Sequence, residues 1–366
     1  MGFSCGIVGL PNVGKSTLFN SLTKAGVPSS NYPFCTIEPN VGIVEVYDER
    51  LVNLSRISNS AKTVFATMRF VDIAGLVKGA SKGEGLGNQF LANIRDVDAI
   101  AQVVRLFHAP DVVHIGDIDP IRDIEIINTE LILKDMEFVE KAIDRLSKVA
   151  RGGNKEAQSE LEILEKIFKG LGEGNLARTV CESDEEVSVA NKYQLLTIKP
   201  MIIVANIDEK FIGREMEDEN FKKLVKYAEE KLKCDVLPLS AKIESEIAEL
   251  SPDEAREFLD SMGMKLSGLQ RLAIEGYKLL DLITFFTTGE KESRAWTIKR
   301  GTTAQKAAGK IHSDMEKGFI RAEVIHYDEF IKIGSWAKAR EEGKIKLEGK
   351  DYIVQDGDIM FMRFNV

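Results

Sequence analysis

The chain has 366 residues, a net charge of −9 at neutral pH and 44% hydrophobic residues. Because a domain usually holds about 100–200 residues, this length predicts two or three domains with an ample core. The opening residues MGFSCGIVGL enter a strand-like run without a basic segment, which argues against a signal peptide, and no run of about 18 apolar residues indicates a membrane span. Four separate cysteines without a C-x-x-C pair favour reduced thiols. We therefore expect a cytoplasmic protein.

Strand and helix patterns alternate in the first part of the chain. A strand-like run at 4–9 leads through a glycine loop into a helix that contains Leu18, Leu22 and Ala25. Further strand-like runs lie at 41–46, 68–73, 99–106, 201–205 and 235–239. Short apolar strands separated by helices are typical of a mainly parallel α/β sheet.

Two heptad patterns interrupt this alternation. Apolar residues between Ile132 and Ala150 are spaced 4, 3, 4, 3, 4, and those between Ala157 and Leu171 are spaced 4, 3, 4, 3. Because this spacing forms the seam of a coiled coil, and a Gly-Gly turn at 151–154 joins the two segments, we predict an antiparallel helical hairpin. The hairpin is either a packing appendage or an arm that grasps a partner.

The C-terminal part has its own pattern. After a helix-like segment at 269–282, strand-like runs at 295–298, 319–325, 344–347 and 358–364 surround a helix pattern at 303–315. This order is typical of a small α+β module. Residues 283–366 carry 15 Lys+Arg and 13 Asp+Glu, a net charge of +2, whereas the remainder carries −11. The acidic total argues against global nucleic-acid binding, so any RNA contact is most plausible in the C-terminal part.

The most specific motif is G-x-x-x-x-G-K-[ST], which the segment 9–16 fits between a strand and a helix. Its glycines let backbone N–H groups face phosphates, and the helix N-terminus adds favourable electrostatics. Lys15 is expected to reach the β- and γ-phosphates, and the Ser16 hydroxyl to bind Mg²⁺. The predicted nucleotide contacts of this loop are Asn12, Val13, Gly14, Lys15, Ser16 and Thr17.

Two later segments complete a predicted magnesium and γ-phosphate site. Asp72 ends a strand and opens a D-x-x-G motif, so it is placed to hold Mg²⁺ through water, and Gly75 can donate its N–H to the γ-phosphate. Thr36 is expected to complete the Mg²⁺ shell only when triphosphate is bound. Leu76 stands where Ras-like enzymes carry a water-orienting glutamine. Since leucine forms no side-chain hydrogen bonds, we expect slow intrinsic turnover.

The base-recognition segment departs from that of guanine switches. Their N-K-x-D motif uses the Asp carboxylate to accept hydrogen bonds from guanine, whereas this chain has Ile207 at the Lys position and Glu209 at the Asp position. Adenine has no 2-amino group and its N1 is an acceptor, so a carboxylate has nothing to bind at that edge. This favours ATP, with a GTP switch that tolerates Glu209 as the alternative. Ser240, Ala241 and Lys242 are expected to form the other wall of the pocket.

Two further classes of protein fit the sequence less well. A small-molecule kinase would need a lid and an acceptor site, whereas this chain offers switch loops and partner-binding appendages. A non-catalytic scaffold conflicts with the joint presence of Lys15, Ser16 and Asp72, the groups that bind a magnesium nucleotide.

Together, these segments resemble the YchF-type, Obg-related branch of the translation-factor P-loop proteins. The resemblance covers essentially the whole chain and is carried by 9–16, 31–42, 71–91, 206–209 and 294–323. It implies a Mg²⁺-dependent switch protein that hydrolyses ATP to ADP and phosphate, binds GTP more weakly and associates with ribosomes. It also implies three parts, which are a P-loop nucleotide-binding domain at 1–125 and 199–280, an inserted helical coiled-coil arm at 126–198, and a C-terminal TGS domain of β-grasp fold at 281–366. Whether the arm or the TGS domain contacts RNA stays open.

The resemblance also implies residue roles. His114 would replace the missing glutamine, because a neutral imidazole can orient or deprotonate water at pH 7. The alternative is a loop histidine that is hydrogen-bonded to backbone. Asn206 and the backbone of Ile207 would contact adenine.

Overall fold

The structure is a computed structural model that describes residues 3–24, 40–73, 86–108 and 118–365. Its strands are, in chain order, β1 (Ser4–Val8), β2 (Val41–Val46), β3 (Thr63–Val64), β4 (Ala66–Asp72), β5 (Ala99–Leu106), β6 (Met201–Ile207), β7 (Val236–Leu239), β8 (Leu282–Thr287), β9 (Ser293–Lys299), β10 (Phe319–His326), β11 (Lys346–Glu348) and β12 (Asp358–Phe364). Its α-helices are α1 (Lys15–Lys24), α2 (Glu49–Ile57), α3 (Leu86–Asp96), α4 (Pro120–Ala150), α5 (Lys155–Gly172), α6 (Ala177–Val180), α7 (Asp184–Lys192), α8 (Glu219–Tyr227), α9 (Ala241–Ile247), α10 (Pro252–Ser261), α11 (Gly268–Leu279), α12 (Ala304–Ile311), α13 (Ser313–Lys317), α14 (Tyr327–Ile333) and α15 (Trp336–Glu341).

The first sheet has the strand order β2-β4-β1-β5-β6-β7, and the pairs from β4 to β7 are parallel. All eight residues of β5 and all seven of β6 are buried, as expected for central parallel strands with both faces covered. Each fully buried Val, Leu or Ile side chain contributes about 1.5–3 kcal/mol to stability. The predicted mainly parallel α/β sheet is confirmed.

The predicted helical hairpin is also confirmed, and it consists of α4 and α5. The side chains of Val139 and Leu164 on its seam are fully buried. Asn154 caps α5, because its side chain accepts a hydrogen bond from the backbone N–H of Ala157 at 3.0 Å. Helix α4 begins at Pro120, well before the seam, and the short helices α6 and α7 lead from the hairpin to β6.

The second sheet has the strand order β11-β10-β12-β8-β9-β3, with β10 antiparallel to β11 and β12, and β8 antiparallel to β9. Helix α12 supplies Ala304, Ala307 and Ala308 to a core that also contains Phe285 and Ile298. These small side chains let a helix approach a sheet closely. The predicted C-terminal α+β module is therefore confirmed.

The chain divides into two compact units. The first comprises Met1–Ile43 and Arg69–Leu269, and the second comprises Val44–Met68 and Gln270–Val366. The three-domain boundaries predicted from sequence stay a prediction. In the part of the chain that the structure describes, no helix combines the length and apolarity needed to cross a membrane.

Two predicted helices have different bounds in the structure. The helix predicted at 269–282 is wrong at its end, because α11 stops at Leu279 and β8 starts at Leu282. Asp281 adopts a left-handed backbone conformation with φ of 49°, which ends the helical path. The helix predicted at 303–315 is divided at His312, whose backbone is extended and whose Nδ1 accepts a hydrogen bond from the N–H of Asp314 at 3.2 Å.

Candidate nucleotide-binding site

The predicted site residues that the structure describes gather at one edge of the first sheet. Because β4, β1, β5, β6 and β7 are parallel, their carboxyl ends share this edge. The glycine loop follows β1, Asp72 ends β4, and Asn206 lies near the end of β6. The edge beyond the carboxyl ends of parallel strands is where α/β sheets bind ligands.

The glycine loop has a backbone that requires its glycines. A Cβ atom on Gly9 would lie 2.8 Å from Val13 Cγ2 and 2.9 Å from the carbonyl oxygen of Val103. Gly14 has a φ of 93°, which glycine adopts without the strain that a side chain imposes. Such a backbone can approach a phosphate group closely.

The helix that follows the loop suits an anion. The N–H of Leu18 donates to the carbonyl oxygen of Gly14 at 3.0 Å, which ties the first turn of α1 to the loop. Ser16 and Thr17 are exposed in this turn, and the turn contains no acidic residue. The N-terminal end of α1 therefore keeps its partial positive charge available for phosphate oxygens.

Lys15 and Asp72 form an ion pair at the mouth of the loop, between Lys15 Nζ and Asp72 Oδ1. The register of β1 and β4, which pairs Ile7 with Asp72, brings the carboxylate beside the loop. The side chains are 12% and 21% exposed, so both charged groups are partly removed from water. The predicted cation for phosphate and the predicted oxygen ligand for a metal ion are thus brought together, although 57 residues separate them in sequence.

Asn206 joins the glycine loop to the segment after β7. Its Nδ2 donates to the carbonyl oxygen of Val13 at 2.9 Å, and its Oδ1 accepts from the N–H of Ala241 at 2.9 Å. Asn206 is only 4% exposed, and a Cβ atom on Gly14 would collide with its amide. One buried side chain therefore sets the distance between two walls of the predicted pocket.

The two acidic residues after β6 have separate partners. Asp208 accepts hydrogen bonds from the backbone N–H of His108 at 3.2 Å and contacts His108 Nδ1 at 3.1 Å. Glu209 Oε1 lies 2.7 Å from Lys242 Nζ. The hydrogen bond to Glu209 raises the pKa of the Lys242 ammonium group above its usual range.

The second predicted wall of the pocket lies at the start of α9. Ser240 caps this helix by accepting a hydrogen bond from the N–H of Ile243 at 3.4 Å, and both Ser240 and Ala241 are 3% exposed. The side chain of Ile207 is also buried within β6, at 1% exposed. Buried side chains at these positions leave backbone groups as the parts suited to contact a base.

Other predicted site residues lie outside the described part of the chain. These are Thr36, Gly75 and His114, together with Leu76 at the missing glutamine position. Their predicted roles stay predictions.

Three features of the site were not predicted from the sequence. Asn206 was predicted to contact the base, but its bonds to the loop and to Ala241 were not expected, and neither was the pairing of Glu209 with Lys242. Phe107 had no predicted role, and its ring atom Cε1 lies 3.7 Å from the position of a Cβ atom on Gly14. An aromatic residue directly after a central strand was the available signal for Phe107.

The donor atoms at the site suit Mg²⁺. Within the described ranges, no cluster of three or more His, Cys, Asp or Glu side chains could hold a metal ion. Ser16 and Asp72 nevertheless supply a hydroxyl and a carboxylate, and Mg²⁺ prefers such oxygen ligands combined with phosphates and water. The site therefore fits a metal that arrives with a nucleotide.

The strand, glycine loop and helix, with a lysine beside an aspartate at the end of the neighbouring strand, define a P-loop nucleotide-binding protein. The family model described as a 50S ribosome-binding GTPase matches residues 4–141. The model described as the C-terminal part of YchF-GTPase, a protein of unknown function, matches residues 282–365.

Full-length relatives identify the family. The chain is 55% identical to "Ribosome-binding ATPase YchF" of Pasteurella multocida and 52% identical to the protein of the same name of Bacillus subtilis, in each case over 100% of both chains. It also matches the structure of the Schizosaccharomyces pombe YchF GTPase at 40% identity and a TM-score of 0.89, covering 99% of this chain and 97% of that one. The chain belongs to the YchF family.

Proposed function

We propose that this chain hydrolyses ATP to ADP and phosphate with Mg²⁺ and that it binds ribosomes. The observation that carries the hydrolase proposal is the P-loop with Lys15 beside Asp72. The full-length relatives named ribosome-binding ATPases support both parts of it. Ribosome binding would place the protein in the cytoplasm.

In the proposed reaction, the chain binds the triphosphate and directs water to the γ-phosphate. The backbone N–H groups from Asn12 to Thr17 hold the phosphate oxygens, and the Lys15 ammonium stabilises the charge that develops on them. Ser16 and Asp72 would hold Mg²⁺, with Thr36 as a third ligand. The metal, when bound, neutralises phosphate charge.

Two further proposed roles concern water and the switch. His114 would orient or deprotonate the attacking water, since Leu76 cannot do so. Gly75 would bind the γ-phosphate through its N–H, and release of phosphate would free both Gly75 and Thr36. Slow intrinsic turnover follows, because neither a glutamine nor an arginine finger is identifiable in the sequence.

The choice of ATP rests on the base-recognition segment. A guanine base needs a carboxylate that is free to accept two hydrogen bonds, whereas Glu209 is engaged by Lys242 and Asp208 by His108. The names of the relatives differ, because the Schizosaccharomyces pombe protein is called a GTPase. GTP therefore stays the second candidate.

A direct competition separates the two nucleotides. We expect the purified protein to bind Mg-ATP at least tenfold more tightly than Mg-GTP, a difference of about 1.4 kcal/mol. Phosphate release from ATP should disappear in Lys15→Met. A tenfold preference for GTP would overturn the base assignment, and phosphate release that survives in Lys15→Met would overturn the P-loop mechanism.

One face of the second sheet suits an RNA contact within the proposed binding of ribosomes. Phe361 is 46% exposed, Leu347 is 60% exposed, and each is paired with Glu323 across the strands. The guanidinium of Arg363 lies 4.6 Å from the centre of the Phe361 ring, and Arg321 is paired with Arg363. Exposed aromatic rings beside arginines suit stacked bases and phosphates of single-stranded RNA.

Ribosome co-sedimentation tests this contact. We expect the wild-type protein to pellet with ribosomes, and the amount that pellets to depend on whether a non-hydrolysable ATP analogue is present. We expect less of the Phe361→Leu variant to pellet. Phe361→Trp should pellet like wild type, because it keeps an aromatic face, so equal pelleting of all three proteins would remove this face from the proposal. Absence of pelleting in both nucleotide states would remove ribosome binding itself.

A further inference from the structure

An ion pair occupies the position where guanine switches read their base. Glu209 begins a single 3₁₀ turn, Glu209–Phe211, directly after β6 and the following Asp208, and Lys242 lies in the first turn of α9. The distance between Glu209 Oε1 and Lys242 Nζ is 2.7 Å. This contact joins the two segments that form the predicted walls of the base pocket.

The pairing follows from the buried part of the site. The Oδ1 of Asn206, three residues before Glu209, accepts a hydrogen bond from the N–H of Ala241, which directly precedes Lys242. That bond is buried, and it holds the end of β6 against the start of α9. The Glu209 and Lys242 side chains are 44% and 68% exposed. The buried bond between Asn206 and Ala241 therefore fixes the distance between the two backbone segments that carry them.

The chemistry of the pair bears directly on the choice of base. A carboxylate distinguishes guanine because it accepts from the N1–H and 2-amino groups, and adenine offers neither donor. The ammonium group of Lys242 is a stronger partner for that carboxylate than a neutral base donor, since hydrogen bonds between charged groups are the stronger ones. Guanine would have to displace Lys242, whereas adenine would not.

The nearby acidic residue does not offer a substitute acceptor. Asp208 accepts from the backbone N–H of His108 and contacts its ring, and Lys210 Nζ lies 3.8 Å from Asp208 Oδ2. Both carboxylates that follow Asn206 therefore have partners of their own in the structure.

We propose that Lys242 is a specificity-determining residue, which disfavours guanine by holding the Glu209 carboxylate. This inference rests on the proposed nucleotide hydrolase function and deepens it, because it names the group that decides between the two bases. As an exposed ion pair, the contact contributes little to stability. Its effect is on the difference between the affinities for ATP and for GTP.

The experiment compares the affinities of Mg-ATP and Mg-GTP for four proteins: wild type, Lys242→Met, Glu209→Gln and the double variant. Lys242→Met frees the Glu209 carboxylate, so we expect GTP to bind about fivefold more tightly, which is about 1 kcal/mol and the upper end for an exposed ion pair, and ATP to change less than twofold. The gain in GTP affinity should vanish in the double variant, because the Glu209 carboxylate is then absent.

A matched control variant and two possible results test the role of Lys242. Lys222 pairs with Glu219 at 2.6 Å on α8, so Lys222→Met removes a similar ion pair and should leave both affinities unchanged. Unchanged GTP affinity in Lys242→Met, or a gain that persists in the double variant, would overturn the role of Lys242. The wild-type preference tests the proposed function separately, since the inference concerns only the change from wild type.

Discussion

Asn206→Ala tests how the nucleotide site is held together. In the structure, the Asn206 side chain is 4% exposed and is bonded at 2.9 Å to both the Val13 carbonyl oxygen and the Ala241 N–H. The variant leaves these two backbone groups without their partner. A buried polar group that loses its hydrogen bond costs about 1–3 kcal/mol, and partial access of water reduces the sum. We expect the free energy of unfolding to fall by ~2–4 kcal/mol.

The assay is urea denaturation of the nucleotide-free protein, so that a change in ligand affinity cannot contribute. Asn191→Ala is the control, because Asn191 is exposed on α7, and it should change the free energy by less than about 0.5 kcal/mol. If Asn206→Ala is as stable as this control, the two bonds do not support the site. The variant should also bind ATP more weakly, because the loop and the segment after β7 lose their common anchor.

Three other expectations concern the loop, the water and the C-terminal sheet. Gly14→Ala should abolish ATP binding in a titration, because Gly14 has a φ of 93° and an added Cβ would collide with the Asn206 amide; retained affinity would contradict this. His114→Ala should lower kcat on the order of 10²-fold with little change in ATP affinity, and unchanged turnover would remove His114 from the mechanism. Arg340, followed by Arg363, holds the pKa of Glu323 below its ordinary value of 4.5, so this pairing stabilises the fold above that pH and is lost as the pH falls through the lowered pKa. Glu323→Gln should therefore lower the Tm at neutral pH and differ less from wild type in acid; an equal Tm at neutral pH would refute the pairing.

Local sequence patterns were sufficient to predict strands of the first sheet. The run at 99–106 coincides with β5, because a buried parallel strand is a continuous apolar segment, and the run at 41–46 coincides with β2, whose residues are alternately buried and half-buried. The heptads predicted the α4–α5 hairpin, because a helical face repeats within a few residues. The glycine loop was equally readable, because its motif lies within one strand–helix junction.

Patterns failed where one apolar run spans two elements and where the deciding contact is distant in sequence. The apolar run that ends α11 continues into β8, so periodicity could not separate a helix from a buried strand. The backbone reversal at Asp281 decided the boundary. Likewise, the short strand β3 exists through pairing with β9, at Thr63 with Ser293, which no local signal predicts.

The sequence by itself determined that this protein has a phosphate-binding loop and an altered base-recognition segment. Both conclusions depend on residue types at short spacing. Only the tertiary structure decided that Asn206 bonds to the loop and to Ala241, and that Glu209 is held by Lys242. These contacts join segments that meet because parallel strands align their carboxyl ends, and that alignment is a property of the folded sheet.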